Sequence, residues 1–64
     1  MTIEELIYVM ADPSFFNLEI WGLESGMALY TGPADEVPEE FEYETIASID
    51  SPSKADWLTI NVDL

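Results

Sequence analysis

Cysteine and histidine are both missing from this 64-residue chain, and one lysine, Lys54, supplies all of its basic side-chain charge. Without cysteine there is no disulfide and no thiolate metal site, which fits a reducing cytosol. Without histidine the most frequent general base is gone. A serine or threonine nucleophile would then need a lysine beside it, and Lys54 stands alone in a Pro/Ser stretch. Long apolar runs are also lacking: none approaches the ~20 residues that span a bilayer. The start, Met1-Thr2-Ile3-Glu4-Glu5, is acidic where a secretory signal would be basic. No D-x-[DN]-x-[DN]-G calcium loop and no Gly-rich phosphate loop occurs. Paired carboxylates could hydrolyse glycosides, but that chemistry needs a deep cleft with one carboxyl desolvated, which so short a chain does not readily build. The expectation is a soluble cytoplasmic protein that is not an enzyme, carries no cofactor or metal and does not enter membranes.

What is present is carboxylate. Fourteen Asp and Glu residues against one Lys give a formal charge of −13. Almost no internal ion pair can form, so most carboxylates must face water. That excess repels itself, and it also repels nucleic acid and anionic membranes while attracting basic protein surfaces. Acidity can serve solubility alone. The ratio of fourteen to one, with no catalytic site to explain it, sets a binding role beside that reading. The apolar fraction of 48 %, with two Trp, three Tyr and three Phe, is too high for a disordered acidic tail. A single folded domain over residues 1–64 is expected, burying only ~60% of its unfolded surface and so resting on one thin core.

Residues 2–11 read as a helix. Thr2 and Glu5 form a capping box, Glu4 and Glu5 sit at the positive end of the dipole, and Ile3, Leu6, Ile7 and Met10 share a face. Asp12-Pro13-Ser14 ends it. Residues 15–23 read as a strand with Phe16, Leu18 and Ile20 opposite Asn17, Glu19 and Trp21. A turn follows at Glu24-Ser25-Gly26, with Gly26 suited to a positive φ, and residues 27–31 return as the second arm. Residues 33–42 read as an ordered loop or short helix anchored by Val37 and Phe41, with Ala34-Asp35-Glu36-Val37 able to form one helical turn before Pro38. Residues 43–50 and 57–64 read as strands joined by a turn at 51–56; in the last strand Leu58, Ile60, Val62 and Leu64 oppose Trp57, Thr59, Asn61 and Asp63. The fold class is α+β: one N-terminal amphipathic helix packed on a four-stranded antiparallel sheet.

Two constellations are candidate partner-binding groups. The first is the acidic stretch Asp35, Glu36, Glu39, Glu40, Glu42 and Glu44. Read as extended chain, Glu40, Glu42 and Glu44 alternate with Phe41 and Tyr43 and stand on one face about 6.6 Å apart. The alternative is a solvated face covering an aromatic anchor. The second is Trp21 and Trp57, on the polar side of their strands, with Glu19 beside Trp21 and Asp63 beside Trp57. They are either a small second cluster or interface anchors for Arg-rich proteins. Glu24 adds to the field.

In size, charge ratio and its ordered acidic stretch from Asp35 to Glu44, the chain resembles small acidic anti-CRISPR proteins of phages and mobile elements. These are α+β domains whose carboxylates imitate DNA phosphates. The resemblance implies an inhibitor whose partner is a basic, nucleic-acid-binding surface such as a CRISPR effector subunit, acting in the host cytoplasm if phage-encoded, as a monomer or weak homodimer. The rival expectation is a phage structural or accessory module that pairs through an exposed strand edge, for which strand 57–64, with Asp63 its only charge, is the candidate.

Overall fold

The computed structural model describes residues 1–51 and 55–64. The elements are α1 (Ile3–Tyr8), β1 (Asn17–Gly22), β2 (Met27–Pro33), a 3₁₀ turn (Ala34–Glu36), α2 (Glu39–Glu42), β3 (Ile46–Asp50) and β4 (Trp57–Val62). The α+β class and the four strands agree with the sequence reading. The sheet, however, is mixed. Its order is β2-β1-β4-β3; β1 pairs antiparallel with β2, β4 antiparallel with β3, and β1 with β4 in parallel.

The connection between the hairpins causes this correction. A tight turn after β2 would send β3 back antiparallel to it. Instead residues 34–45 cross the whole sheet, from the end where Gly32 meets Leu18 to the end where Ile46 meets Val62. A crossover of about a dozen residues is what parallel pairing requires. It also moves strand 57–64, expected at an edge, to the centre between β1 and β3. The true edges are β2 and β3. The short, polar Ile-Ala-Ser-Ile-Asp of β3 suits the edge position, and four of its five residues are exposed.

Within β1 and β4 the side-chain alternation was read correctly, but Phe16 and Leu64, expected to continue the two apolar faces, lie beyond the strand ends and are exposed. Leu18 and Ile20 of β1 meet Leu58 and Ile60 of β4 in register; Leu18, Ile20 and Ile60 form one buried cluster with Ile3, Ala34, Val37 and Val62, and the half-buried Leu58 packs against it. Ile3, Leu18, Ile20, Ile60 and Val62 are wholly buried, each contributing about 1.5–3 kcal/mol relative to exposure. In β2 the register skips Leu29 between the pairs Ile20–Tyr30 and Trp21–Ala28. This bulge turns two successive side chains, Leu29 and Tyr30, onto the core.

Helix α1 covers that face and is shorter than residues 2–11. Its capping box is formed: the Glu5 amide donates to Thr2 Oγ1 (3.2 Å) and the Thr2 amide to Glu5 Oε1 (2.9 Å). At the other end the amides of Val9 and Met10 donate to Leu6 and Ile7. These tighter three-residue bonds close the helix before Pro13 can act. Strand β1 is trimmed relative to residues 15–23 and β2 runs on to Pro33. The strand expected at 43–50 begins only at Ile46, because α2 and an isolated Thr2–Thr45 bridge occupy the preceding chain. The expected turn at 51–56 falls partly on residues 52–54, including Lys54, which lie outside the described residues.

Two glycines carry positive φ for different reasons. Gly26 (φ 65°) sits in the β1–β2 turn with open space where a Cβ would go, whereas at Gly32 (φ 150°) a Cβ would stand 2.9 Å from Tyr30 Oη. Gly26→Ala therefore meets backbone strain alone, about 1–2 kcal/mol. Gly32→Ala adds a packing conflict and is expected to cost about 2–4 kcal/mol. Urea unfolding of the two variants checks the order; an equal or larger loss at Gly26 contradicts it.

Candidate functional site

The acidic connection lies over the core and is held at both ends. At its start the Ala34 amide donates to the Phe16 carbonyl (2.8 Å), and Ala34 and Val37 are buried. Pro33 and Pro38 occupy the N-cap positions of the 3₁₀ turn and of α2 at φ −60° and −57°, close to the angle the pyrrolidine ring imposes. Phe41 packs on the core. Beyond α2 the Glu44 carbonyl accepts from the Ile3 amide (3.1 Å). A segment pinned by two buried residues, two prolines and a half-buried aromatic presents its carboxylates in fixed places.

Those places differ from the extended reading. Glu39–Glu42 is a helical turn, so Glu40, Glu42 and Glu44 do not alternate along a strand. Glu-Phe-Glu-Tyr-Glu has the alternation of a strand, but Pro38 starts a helix in which Glu39 and Glu42 fall three residues apart, with Glu44 beyond its end. Like charges at that spacing cost a few tenths of a kcal/mol per pair. Asp35, Glu36, Glu39 and Glu40 are exposed, while Glu42 and Glu44 are half-buried. Helix α1 packs beside α2, which brings Glu4, exposed on its first turn, onto the same helical layer. No local signal marks Glu4 as part of this surface, because the Thr2–Thr45 bridge joins segments more than forty residues apart.

The second constellation is on the opposite face. Glu19, Trp21, Trp57, Thr59 and Asn61 point away from the core, and Ala28, Thr31, Ser48 and Asp50 leave that face open to solvent. Thr59 Oγ1 donates to Glu19 Oε1 (3.3 Å). Asn61, buried to 6 % exposure, donates through Nδ2 to Ser48 Oγ and Asp50 Oδ2, both at 2.9 Å. This fork ties the edge strand β3 to β4. Trp21 and Trp57 are half-buried and stand four register positions apart, beside Asn61 and Asn17 respectively, roughly 13 Å along the strands. Asp63, expected beside Trp57, falls beyond the end of β4. Glu24 lies in the turn at the end of the β1–β2 hairpin. The ten candidate residues thus divide into six on the helical layer, three on the open sheet face and one at an end of the molecule.

Among the described residues no three carboxylates converge as a metal site would require, and no helix is long and apolar enough to cross a membrane. Comparisons with models of protein families, with characterised proteins and with solved structures find no match to this chain. The functional reading therefore rests on its own residues.

Tyr30 senses the field of the acidic segment. Its hydroxyl donates to the Pro33 carbonyl (2.7 Å). Burial pushes its pKa above the ordinary 10.0, and the charges of Glu36 and then Asp35 push it further. Because the folded value is raised, the stability this group contributes is complete below the unfolded pKa and is lost as pH rises through the folded one. Ultraviolet titration should show Tyr30 ionising above 10.0, the step being assigned to it by its loss in Tyr30→Phe. Glu36→Gln should lower that value without restoring 10.0, since burial remains. Tyr30→Phe should weaken the alkaline loss of stability. An unchanged titration in Glu36→Gln contradicts the assignment. At the acid end Glu5, whose pKa the Thr2 amide and hydroxyl hold down, stabilises above the ordinary glutamate value and stops doing so as pH falls through its lowered one.

Proposed function

We propose that this chain is a binding protein that occupies the basic groove of a nucleic-acid-binding partner, with Asp35, Glu36, Glu39 and Glu40 as the leading edge of its carboxylate surface. One observation carries the reading: an acidic segment, which a solubilising role could leave disordered, is pinned across the core by Ala34, Val37 and Phe41. With one lysine in the chain, its carboxylates are left for an outside cation. A groove built for phosphates offers Arg and Lys at matching density and holds counterions that an acidic protein releases on docking. A CRISPR effector subunit, which the resemblance to small acidic inhibitors suggests, is one such partner. Glu42, Glu44, Glu4 and Glu24 extend the field, and Glu19, Trp21 and Trp57 provide a separate aromatic and acidic face suited to arginine.

The strand-edge alternative moves to β2. From Met27 to Pro33 this edge strand has no charged residue, whereas β3 is covered at its start by the Thr2–Thr45 bridge and carries Asp50 near its end. Pairing along β2 would persist at high salt, whereas docking through carboxylates would not.

The test is affinity capture on the immobilised protein with elution by salt, comparing the wild type with the triple variant Glu36→Lys, Glu39→Lys, Glu40→Lys. All three positions are exposed, and the change relieves repulsion, so the fold should be kept or stabilised. Nucleic-acid-binding proteins should be retained by the wild type, released by salt and displaced by duplex DNA, and the variant should lose them, with a penalty of several kcal/mol from like-charge contacts. Retention of the same proteins by the triple variant refutes the carboxylate model. A homodimer in sedimentation that is stable to high salt supports the β2 edge instead.

A further inference from the structure

Where α1 ends, the core face is not closed. A cavity of about 400 Å³ opens between Leu6 of the helix, Met10 just beyond its end, Phe15 and Phe16 of the following segment, and Leu58 of β4, with Asp12 also lining it. Its volume lies in the range of sites that take a ligand or a large side chain. The turn shapes its mouth: the Phe15 amide donates to the Asp12 carbonyl (3.1 Å) and Ser14 Oγ to Asp12 Oδ1 (2.6 Å), leaving the Phe15 ring 73 % exposed. Further back along the helix, Glu4, Glu5, Tyr8 and Val9 line a second depression of about 250 Å³, with Tyr8 87 % and Val9 72 % exposed. This end and outer side of α1 therefore carry large apolar groups edged by carboxylates, without a neighbour to cover them among the described residues.

The charge of the chain selects the occupant. A second copy would bring −13 against −13, and nucleic acid or an anionic lipid surface would be repelled in the same way. A neutral apolar segment would bring no cation to Glu4, nor to Glu5 and Asp12, whose hydrogen bonds from Thr2 and Ser14 leave their charge uncompensated. We infer that this cavity is the apolar anchor site for a basic segment of the partner. One bulky aliphatic or aromatic side chain enters between Met10, Phe15, Phe16 and Leu58, and flanking Lys or Arg residues reach Asp12 and the carboxylates of α1. The inference rests on the basic-partner reading above and adds where on that partner's surface an apolar residue must stand. Anchors of this kind, closed off by their rim, hold most of the energy in protein interfaces.

Three synthetic 14-residue peptides test it against the isotopically labelled protein by NMR titration. One places Lys and Leu at helical spacing, the second replaces every Leu with Ser, and the third keeps Leu and replaces every Lys with Gln. The Lys/Leu peptide should bind roughly tenfold to a hundredfold more tightly than either of the others, with shifts centred on Leu6, Met10, Phe15, Phe16 and Leu58. Phe15→Ser, at an exposed position, should keep the fold, abolish most of the preference for Leu and leave the Lys/Ser affinity unchanged. Equal binding of the Lys/Leu and Lys/Ser peptides overturns the anchor site while the carboxylate reading stands. Equal binding of the Lys/Leu and Gln/Leu peptides overturns the basic occupant. If no Lys peptide binds, both readings fall. A homodimer that Phe15→Ser disperses would assign the cavity to a second copy and overturn the inference.

Discussion

The parallel pairing of β1 with β4 is the constraint from which the rest of the structure follows. Leu18 beside Leu58 and Ile20 beside Ile60 build the centre of a core that a chain of this size can build only once. For β4 to lie parallel to β1, the chain between the hairpins must cross the sheet. In crossing, it becomes part of the layer that covers the core. Ala34 and Val37 are buried because the connection has to seal Leu18, Ile20 and Ile60 from water. The carboxylates between and beyond them are ordered for the same reason. Core formation and the display of acidic groups are therefore one event in this fold.

Much of this was legible in the residues themselves. Alternation separated Leu18, Ile20, Leu58, Ile60 and Val62 from Glu19, Trp21, Thr59 and Asn61, because a period of two assigns faces whatever the neighbouring strand. Thr2 and Glu5 announced the capping box, and Glu24-Ser25-Gly26 the turn. The direction of pairing was not legible, since alternation is the same in parallel and antiparallel sheets. Its cue was the length of the connection, which matters only once it is seen to cross a face. The short helix expected within residues 33–42 is present, but the extended reading of Glu40-Phe41-Glu42-Tyr43-Glu44 fails: that run satisfies the strand period, while the helix signal was a single proline, Pro38, acting on four residues. The second surface component, Glu4, depends on a contact distant in sequence, and no local pattern contains it. The cavity beside Phe15 was invisible for a related reason: a gap is a property of packing between α1 and β4, not of either segment.

The charge is a load on this scaffold. Fourteen side-chain carboxylates repel across a domain whose wholly buried large side chains, among the described residues, are five, and several carboxylates are used by the fold itself. Glu5 closes the α1 cap, Asp50 receives Asn61, Glu19 receives Thr59 and Asp12 fixes the turn before β1. Solubility accounts equally well for carboxylates on mobile or rigid chain and at any position. It does not account for placing four exposed ones on a segment clamped over the core, where repulsion between helical neighbours opposes the clamp. A cation supplied from outside would relieve that repulsion, so the same groups that weaken the free protein would strengthen a complex.

Charge and apolar contact then divide the work of recognition. Carboxylates on both faces and both ends of the molecule would attract a basic partner from any approach and raise the rate of encounter, an effect that salt screens within about 8–10 Å. They discriminate poorly, because any array of Arg and Lys answers them. Orientation and lifetime require contacts that only one partner satisfies, and differences in affinity among related complexes reside mostly in dissociation. The open end of the core, with Phe15 held at its mouth, offers such a contact: an apolar side chain inserted there is insensitive to salt and demands a matching shape. An acidic surface alone would give a general scavenger of basic proteins. On the proposed reading, the same surface beside an apolar recess would give a binder whose choice of partner depends on which groove also presents a hydrophobic residue among its cations.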